Sequence, residues 1–350
     1  MNPAIEAFDL TKKFKFTPPN PDSGTSSMWL SFLANILKSG KKSEITALEN
    51  VSFRVDCGEI FCVVGPNGAG KTTLLKILST ILIPDGGTAI VNGFDILKEP
   101  NEVKASLTVV PSAWWITLDW SLTVKENLVF WARLFGYSKR QAEERASYVL
   151  NLLNLSKYEN SHPDTLSSGF RQRVALARGL VVDSPIFLLD EPTINLDPIA
   201  AQGFREFIKN ILNLKMKRTI VYTTHVLSEA ERLGDKIGIL KEGKMIICNT
   251  LKNLRKNADF DVFEISISGI NADTLGELTS HLKKALGKEA SIRLLNYDDG
   301  VAKFKVAGAD REHIEVVINS CLTSPRKISE VKQVEPSLEE VFLFYTGEFQ

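Results

Sequence analysis

Between the apolar run Ile60 to Val64 and the helical pattern Leu74 to Leu82 stands Gly65-Pro66-Asn67-Gly68-Ala69-Gly70-Lys71-Thr72-Thr73. A polyphosphate has to be wrapped by main-chain N–H groups, and only a glycine-rich turn lets backbone approach that closely. Gly65, Gly68 and Gly70 supply the turn. Lys71 is placed to reach the outer phosphates, Thr72 to offer its hydroxyl to Mg²⁺, and the following helix to point its positive end at the anion. The segment therefore dictates strand, tight loop and helix N-terminus in that order, and it predicts nucleotide binding. Many unrelated nucleoside triphosphatases share such a loop, so it does not choose among them.

A second phosphate-facing motif follows about a hundred residues on. Leu166-Ser167-Ser168-Gly169-Phe170 leads into the helical run Arg171 to Arg178, and Ser with Gly at a helix start presents N–H donors to an anion. Then Ile186-Phe187-Leu188-Leu189-Asp190-Glu191 reads as a buried parallel strand that delivers two acids at its end. Asp190 is placed to hold Mg²⁺ directly or through water, and Glu191 to polarise an attacking water as general base. Asn195-Leu196-Asp197-Pro198 comes next, and His225 closes the strand Thr219 to Thr223, where its imidazole is suited to a γ-phosphate. Singly, each has a duller reading: an exposed Ser-Gly turn, an acidic strand end, a satisfied surface histidine.

In this order and spacing the motifs resemble the ATP-binding cassette (ABC) ATPases over most of residues 4 to 250. The loop Gly65 to Thr72, the signature Leu166 to Phe170, the pair Asp190 and Glu191, the Asp197 loop and His225 carry the resemblance. Leu78 to Gly87, Val91-Asn92-Gly93-Phe94-Asp95 and the chain end Pro336 to Phe342 look like the exporter ATPases that work with ABC-2 type permeases. The resemblance implies an α/β P-loop cassette with a helical subdomain, and ATP with Mg²⁺ as ligands. It further implies a head-to-tail dimer in which Ser167 and Gly169 of one protomer complete the site built by Lys71, Thr72, Asp190, Glu191 and His225 of the other. ATP would favour the closed dimer, and hydrolysis would return it to the open one. Phe14 best matches the aromatic residue that stacks on adenine in this family, with Phe16 two residues away.

Two departures from the family pattern stand out. Most cassettes place a glutamine after the Val109-Val110-Pro111 strand end, where this chain has Ser112. A serine hydroxyl is too short to replace that amide as a metal ligand, so a bridging water and slower or differently coupled hydrolysis are expected. Nearby Trp114, Trp115 and Trp120 are either core aromatics or a partly apolar partner surface. The other departure is an insertion, residues 17–46. It starts with the turn-rich Pro18 to Gly24 and continues into Met28 to Lys38, where Trp29, Leu30, Phe32, Leu33, Ile36 and Leu37 share one helical arc. With Lys38, Lys41 and Lys42 behind it, this reads as an interfacial helix for lipid or a permease cleft, against a helix folded back on its own cassette.

The chain has 42 basic and 42 acidic side chains, so no global charge points to nucleic acid. Cys57, Cys62, Cys248 and Cys321 lack metal-ligand or paired spacing and read as reduced thiols. No apolar stretch is long enough to span a bilayer, which expects the pore in another chain and this one as a peripheral protein at the cytoplasmic face of the cell membrane. Leu122 to Leu134 and Arg140 to Leu155 have helical spacing, placing a helical subdomain at about 100–182 of the 1–250 cassette. Residues 251–257 read as a polar linker. Beyond it, strands at 262–268, 292–295, 301–306 and 328–334 with helices at 272–286 and 314–321 suggest an accessory α+β domain of ferredoxin-like type over 258–350. The expectation is the ATPase subunit of an exporter, paired with a second cassette in a homodimer and with an ABC-2 type permease. The rival is a cassette that transports nothing and acts as an ATP-driven switch.

Overall fold

The structure, a computed structural model, describes residues 3–16, 43–112, 117–194, 196–258, 260–286, 290–308, 312, 314 and 327–348. Two compact units divide the chain, Met1–Cys248 and Asn249–Gln350.

The first unit is built on two sheets. Strands β1 (Ile5–Phe16), β2 (Ser43–Val55), β4 (Gly86–Val91) and β5 (Phe94–Asp95) form the smaller sheet in the order β2-β1-β4-β5. The larger sheet has the order β10-β9-β3-β8-β7-β6. It contains β3 (Ile60–Val64), β6 (Leu107–Val110), β7 (Ile186–Asp190), β8 (Thr219–Thr224), β9 (Lys236–Lys241) and β10 (Lys244–Asn249). Pairings β9-β3-β8-β7-β6 are parallel. Every residue of β3, β7 and β8 is buried, which is why these strands read as unbroken apolar runs instead of alternating ones. Helix α1 (Lys71–Leu78) packs between the sheets. Its Leu74, Leu75, Ile77 and Leu78 share one core with Ile5 and Val51 of the smaller sheet and Val63 and Leu188 of the larger. Each fully buried leucine there contributes about 2 kcal/mol of hydrophobic stabilisation, so the loop before α1 hangs from a rigid support.

α2 (Pro100–Ser106) leads into β6, and a helical arm follows: α3 (Val124–Leu134), α4 (Lys139–Leu152) and α5 (Ser168–Val181). Reciprocal capping boxes, Thr123 with Glu126 and Ser138 with Gln141, set the starts of α3 and α4. The arm returns to the core along α5, where a Cβ on Gly179 would stand 2.3 Å from Thr108 Cγ2. α6 (Pro198–Glu206) runs on into π-helical turns at Phe207–Lys215, and α7 (Leu227–Leu233) joins β8 to β9.

In the second unit α8 (Leu251–Asn257) precedes β11 (Val262–Ser268), α9 (Leu275–Leu286), β12 (Ser291–Asp298), β13 (Val301–Ala307), β14 (Lys327–Val334) and α10 (Leu338–Thr346). The sheet order β12-β13-β11-β14, antiparallel throughout, is the ferredoxin-like one. Phe263, Ile265 and Ile267 alternate inward against Leu278 and Leu282 of α9. Among the described residues, no helix is long and apolar enough to cross a membrane.

Four sequence expectations change. Ser43 to Thr46 is not insertion but the start of β2, paired with β1 out to Phe16; the 28–38 helix lies outside the described residues. A helical subdomain starting near 100 takes in β6, which pairs in register with β7 and belongs to the core. Residues 251–257 form α8, capped by Thr250, whose hydroxyl accepts from Asn253 N–H, and anchored by buried Leu254; their polarity masked a short amphipathic helix. The chain end, read only as a motif, is the helix α10, opened by a Ser337–Glu340 capping box. Of the expected 314–321 helix, only Ile314, buried in the core of its unit, is described.

Candidate active site

The phosphate loop lies at the C-terminal end of β3, where a parallel α/β sheet gathers loops and helix N-termini. Gly70 caps α1 with φ 106°, and no side chain caps the helix. A Cβ there would meet Ala47 O at 2.4 Å, and one on Gly65 would meet Leu240 O at 2.1 Å. Glycine is thus enforced by neighbouring backbone as well as by dihedral angle. Ala69 O accepts from Gly243 N–H at 3.1 Å, tying the loop to the β9–β10 turn. Pro66, Asn67 and Gly68 form its exposed crest. Thr73, on the first turn of α1, is half-buried.

Lys71 is only 5% exposed, and its Nζ donates to Gly65 O at 2.8 Å and Pro66 O at 3.0 Å. The same ammonium lies 3.1 Å from Glu191 Oε1, and Glu191 Oε2 lies 2.8 Å from His225 Nδ1. Three residues from the ends of three elements thus converge. Glu191 sits at φ 44°, an uncommon conformation for a side-chain-bearing residue, held by its N–H donating to Thr223 O and Oγ1 and its carbonyl accepting from Ile194 N–H. Beside it the Thr72 hydroxyl lies 2.9 Å and 3.2 Å from the two Asp190 oxygens, and the buried Thr223 hydroxyl donates to Asp190 Oδ1 at 2.7 Å. A hydroxyl and a carboxylate meeting at the loop mouth suit Mg²⁺, a hard cation that completes its octahedron with water and substrate phosphates. No cluster of three or more His, Cys, Asp or Glu that would make an all-protein cage occurs among the described residues.

The other expected residues occupy separate places. Ser167 is the N-cap of α5, its hydroxyl accepting from Phe170 N–H, and a Cβ on Gly169 would approach Ala200 Cβ to 3.1 Å. No hydrogen bond or ion pair joins Ser167 to Lys71, Asp190 or Glu191 among the described residues. Asp197 caps α6, accepting from Ile199 and Ala200 N–H at 3.0 Å and 2.9 Å. Phe14 lies 42% exposed on β1 opposite Ile45, close to where β2 crosses the phosphate loop at Ala47, with Lys12 Nζ 5.7 Å from its ring centroid. Trp120 is exposed with the Arg171 guanidinium over it at 5.8 Å, while Trp114 and Trp115 lie outside the described residues. Cys62 and Cys248 are free thiols, and burial pushes that of Cys248 up to about 11.

Sequence reasoning missed two features. Glu229 of α7, 5% exposed, accepts from Thr193, Tyr222 and Thr224 hydroxyls and from Arg205. A groove of about 640 Å³ opens beside the site, and Thr72, Asp190, Ser112, Trp131, Phe135 and Arg178 are among the residues that line it. No local pattern advertises either, because each is assembled from distant elements.

Residues 48–194 match the family model described as ABC transporter. The linearmycin resistance ATP-binding protein of Bacillus subtilis is 31% identical over 320 residues, covering 89% of this chain and 97% of that protein. A doxorubicin resistance ATP-binding protein of Mycobacterium tuberculosis is 32% identical over 317 residues, covering 89% of this chain and 92% of that one. Among solved structures, a dimeric ATP-binding cassette in a post-hydrolysis state with ADP and Pi superposes with TM-score 0.58 at 26% identity, over 71% of this chain and 98% of that one. The chain belongs to the ABC transporter family, as an ATP-binding and ATP-hydrolysing subunit that powers export.

Proposed function

We propose that the chain works on the cytoplasmic face of the cell membrane as half of a homodimer bound to an ABC-2 type permease, with Mg-ATP as its fuel. The observation that carries the catalytic part is the Lys71–Glu191–His225 cluster, whose contacts of 3.1 Å and 2.8 Å stand beside the Thr72–Asp190 pair. Gly65, Pro66, Asn67, Gly68, Ala69, Gly70 and Thr73 cradle the phosphates through main-chain N–H groups, and Phe14 stacks on adenine. Thr72 and Asp190 would hold Mg²⁺, which when bound would draw charge from the phosphate oxygens. Lys71 turns from the two loop carbonyls toward the γ-phosphate and so releases Glu191. Glu191 takes the proton of the attacking water, whose oxygen bonds to the γ-phosphorus as the bond to the ADP oxygen breaks; His225 steadies the phosphoryl oxygens. Ser167, Gly169 and Asp197 act across the dimer, a reading favoured by the separation of the α5 N-terminus from the Lys71 cluster within one chain.

The permease reading rests on the groove, whose apolar wall of Leu75, Ile81, Leu107, Val109 and Phe135 adjoins the metal pair. A docked segment there touches the residues that sense nucleotide. Gentle extraction from native membranes followed by identification of what accompanies the chain tests this. A multispanning permease that raises Mg-ATP turnover is the expected outcome, and a purely water-soluble partner would withdraw the transport reading in favour of a cytosolic switch.

Ser112 lines the same groove as Thr72 and Asp190. Lengthening it by Ser112→Gln places an amide within reach of the metal's water shell and of the docked partner. Turnover is expected to rise about three- to tenfold, on the scale of one added positioning contact, or its stimulation by the permease to change by as much. Unchanged steady-state rate together with unchanged stimulation would sink this role for position 112.

A further inference from the structure

The groove holds a cation for which catalysis has no use. Arg178 of α5 lies with its guanidinium carbon 3.8 Å from the centroid of the Trp131 ring of α3. Among the described residues its side chain makes no ion pair and no hydrogen bond with the chain. Burial lowers its pKa to about 10, and among the described residues no carboxylate offsets that shift. Lys76 and Lys104 line the same groove, and neither has a carboxylate partner among the described residues. Among the described residues the one acid in the lining is Asp190, whose oxygens are taken by the Thr72 and Thr223 hydroxyls. Among the described residues the groove therefore combines apolar side chains with uncommitted charge that is cationic, and it includes an arginine stacked on an indole.

Such a surface specifies its occupant. A guanidinium held over an indole face keeps its in-plane N–H fork turned away from the ring, the geometry that receives a carboxylate through two parallel hydrogen bonds. Desolvating that arginine beneath a wholly apolar partner would leave a buried charge unpaired, an outcome interfaces avoid. We propose that the permease segment seated in this groove is an amphipathic helix with an apolar face and one Asp or Glu, whose carboxylate pairs with Arg178 over Trp131. Lys76 and Lys104 then steer the acidic segment inward and make docking sensitive to salt. This rests on the reading that a permease docks here.

Two measurements on the full-length chain separate this assignment from that reading. In calorimetric titration, a synthetic helical Leu/Ala peptide with one central Glu is expected to bind the wild type about tenfold more tightly than its Gln twin, the scale of a charge-assisted hydrogen-bonded pair. Arg178→Met, which keeps the apolar bulk, is expected to abolish that preference, and Arg178→Lys to retain part of it. Nucleotide binding at wild-type strength certifies that each variant is folded. In extraction from native membranes, Arg178→Met is expected to lose the permease by about thirtyfold or more, the lower end for truncating one partner of a buried charge pair, and Arg178→Lys by much less. Equal affinity for the two peptides, including no binding of either, overturns the proposal, as does full retention of the permease by Arg178→Met. If the wild type itself brings no permease, the docking reading fails, while the Glu and Gln peptides still decide the charge preference of the groove.

Discussion

Glu191→Gln is expected to lower steady-state Mg-ATP turnover by about a hundredfold to ten-thousandfold, the range a positioned general base supplies, while nucleotide affinity stays within a few-fold. The substitution preserves shape and removes one function. Lys71 loses its partner at 3.1 Å but keeps the two loop carbonyls at 2.8 Å and 3.0 Å, so the phosphate cradle stands. The unusual φ of 44° at position 191 is set by main-chain bonds to Thr223 and Ile194, which glutamine retains. What the amide lacks is the capacity to take a proton from water. Since binding survives and hydrolysis does not, ATP should accumulate in a closed dimer, visible as a doubled mass by light scattering in ATP and absent in ADP. Turnover above about a tenth of wild type would assign the base elsewhere. A variant that loses nucleotide would instead make the Lys71–Glu191 contact structural.

How much of this was legible in the chain depends on how local each feature is. The phosphate loop, the two acids after the β7 run and the histidine after β8 are written as short segments with their own flanking strands, so periodicity and residue type place them without knowledge of the fold. The ferredoxin-like order of the second unit was likewise readable from alternation in Val262 to Ser268 and the apolar spacing of α9. Boundaries failed where propensity and pairing disagree. Ser43 to Thr46 carries no strong strand signal and is extended because β1 offers it a partner. Leu107 to Val110 reads as part of the helical arm because its role depends on β7, which arrives in sequence far later. The groove was illegible for a related reason: Trp131 and Arg178 look like ordinary members of two amphipathic helices, and only the packing of α3 against α5 sets one over the other. Ser112 stands out only as a departure from a family pattern, since a serine after a strand has no chemistry of its own to announce.

Glu229→Ala is expected to cost roughly 3–5 kcal/mol of stability, the scale of breaking a buried charge pair by removing one partner. Oε1 of Glu229 accepts from Arg205 Nη1 at 2.7 Å, and Oε2 accepts from the hydroxyls of Thr193, Thr224 and Tyr222 at 2.9, 3.1 and 3.0 Å. Alanine leaves a largely buried guanidinium and three hydroxyls without their acceptor, and each must then be met by water or pay for its desolvation. Burial, with Glu229 adding to it, already holds the Tyr222 phenol well above its ordinary range, so ionising the phenol offers no relief. For a unit of this size the loss corresponds to a fall in melting temperature of about 10 °C, read by calorimetry on the full chain. The network also ties the segments after β7 and β8 together. Thr193 follows Glu191 closely, Thr224 precedes His225, and the Thr224 hydroxyl accepts from Val226 N–H at 2.9 Å, clamping the backbone on both sides of the histidine. Turnover measured well below the lowered melting temperature should therefore fall about tenfold as well, because in the proposed mechanism a His225 held loosely loses its orientation on the phosphoryl group. Tyr222→Phe removes one donor and leaves the carboxylate paired, so its cost should stay near 1 kcal/mol with turnover almost unchanged. If Glu229→Ala and Tyr222→Phe destabilise alike, the carboxylate is not the centre of the network; if Glu229→Ala melts early yet turns over normally, it holds the fold without holding His225.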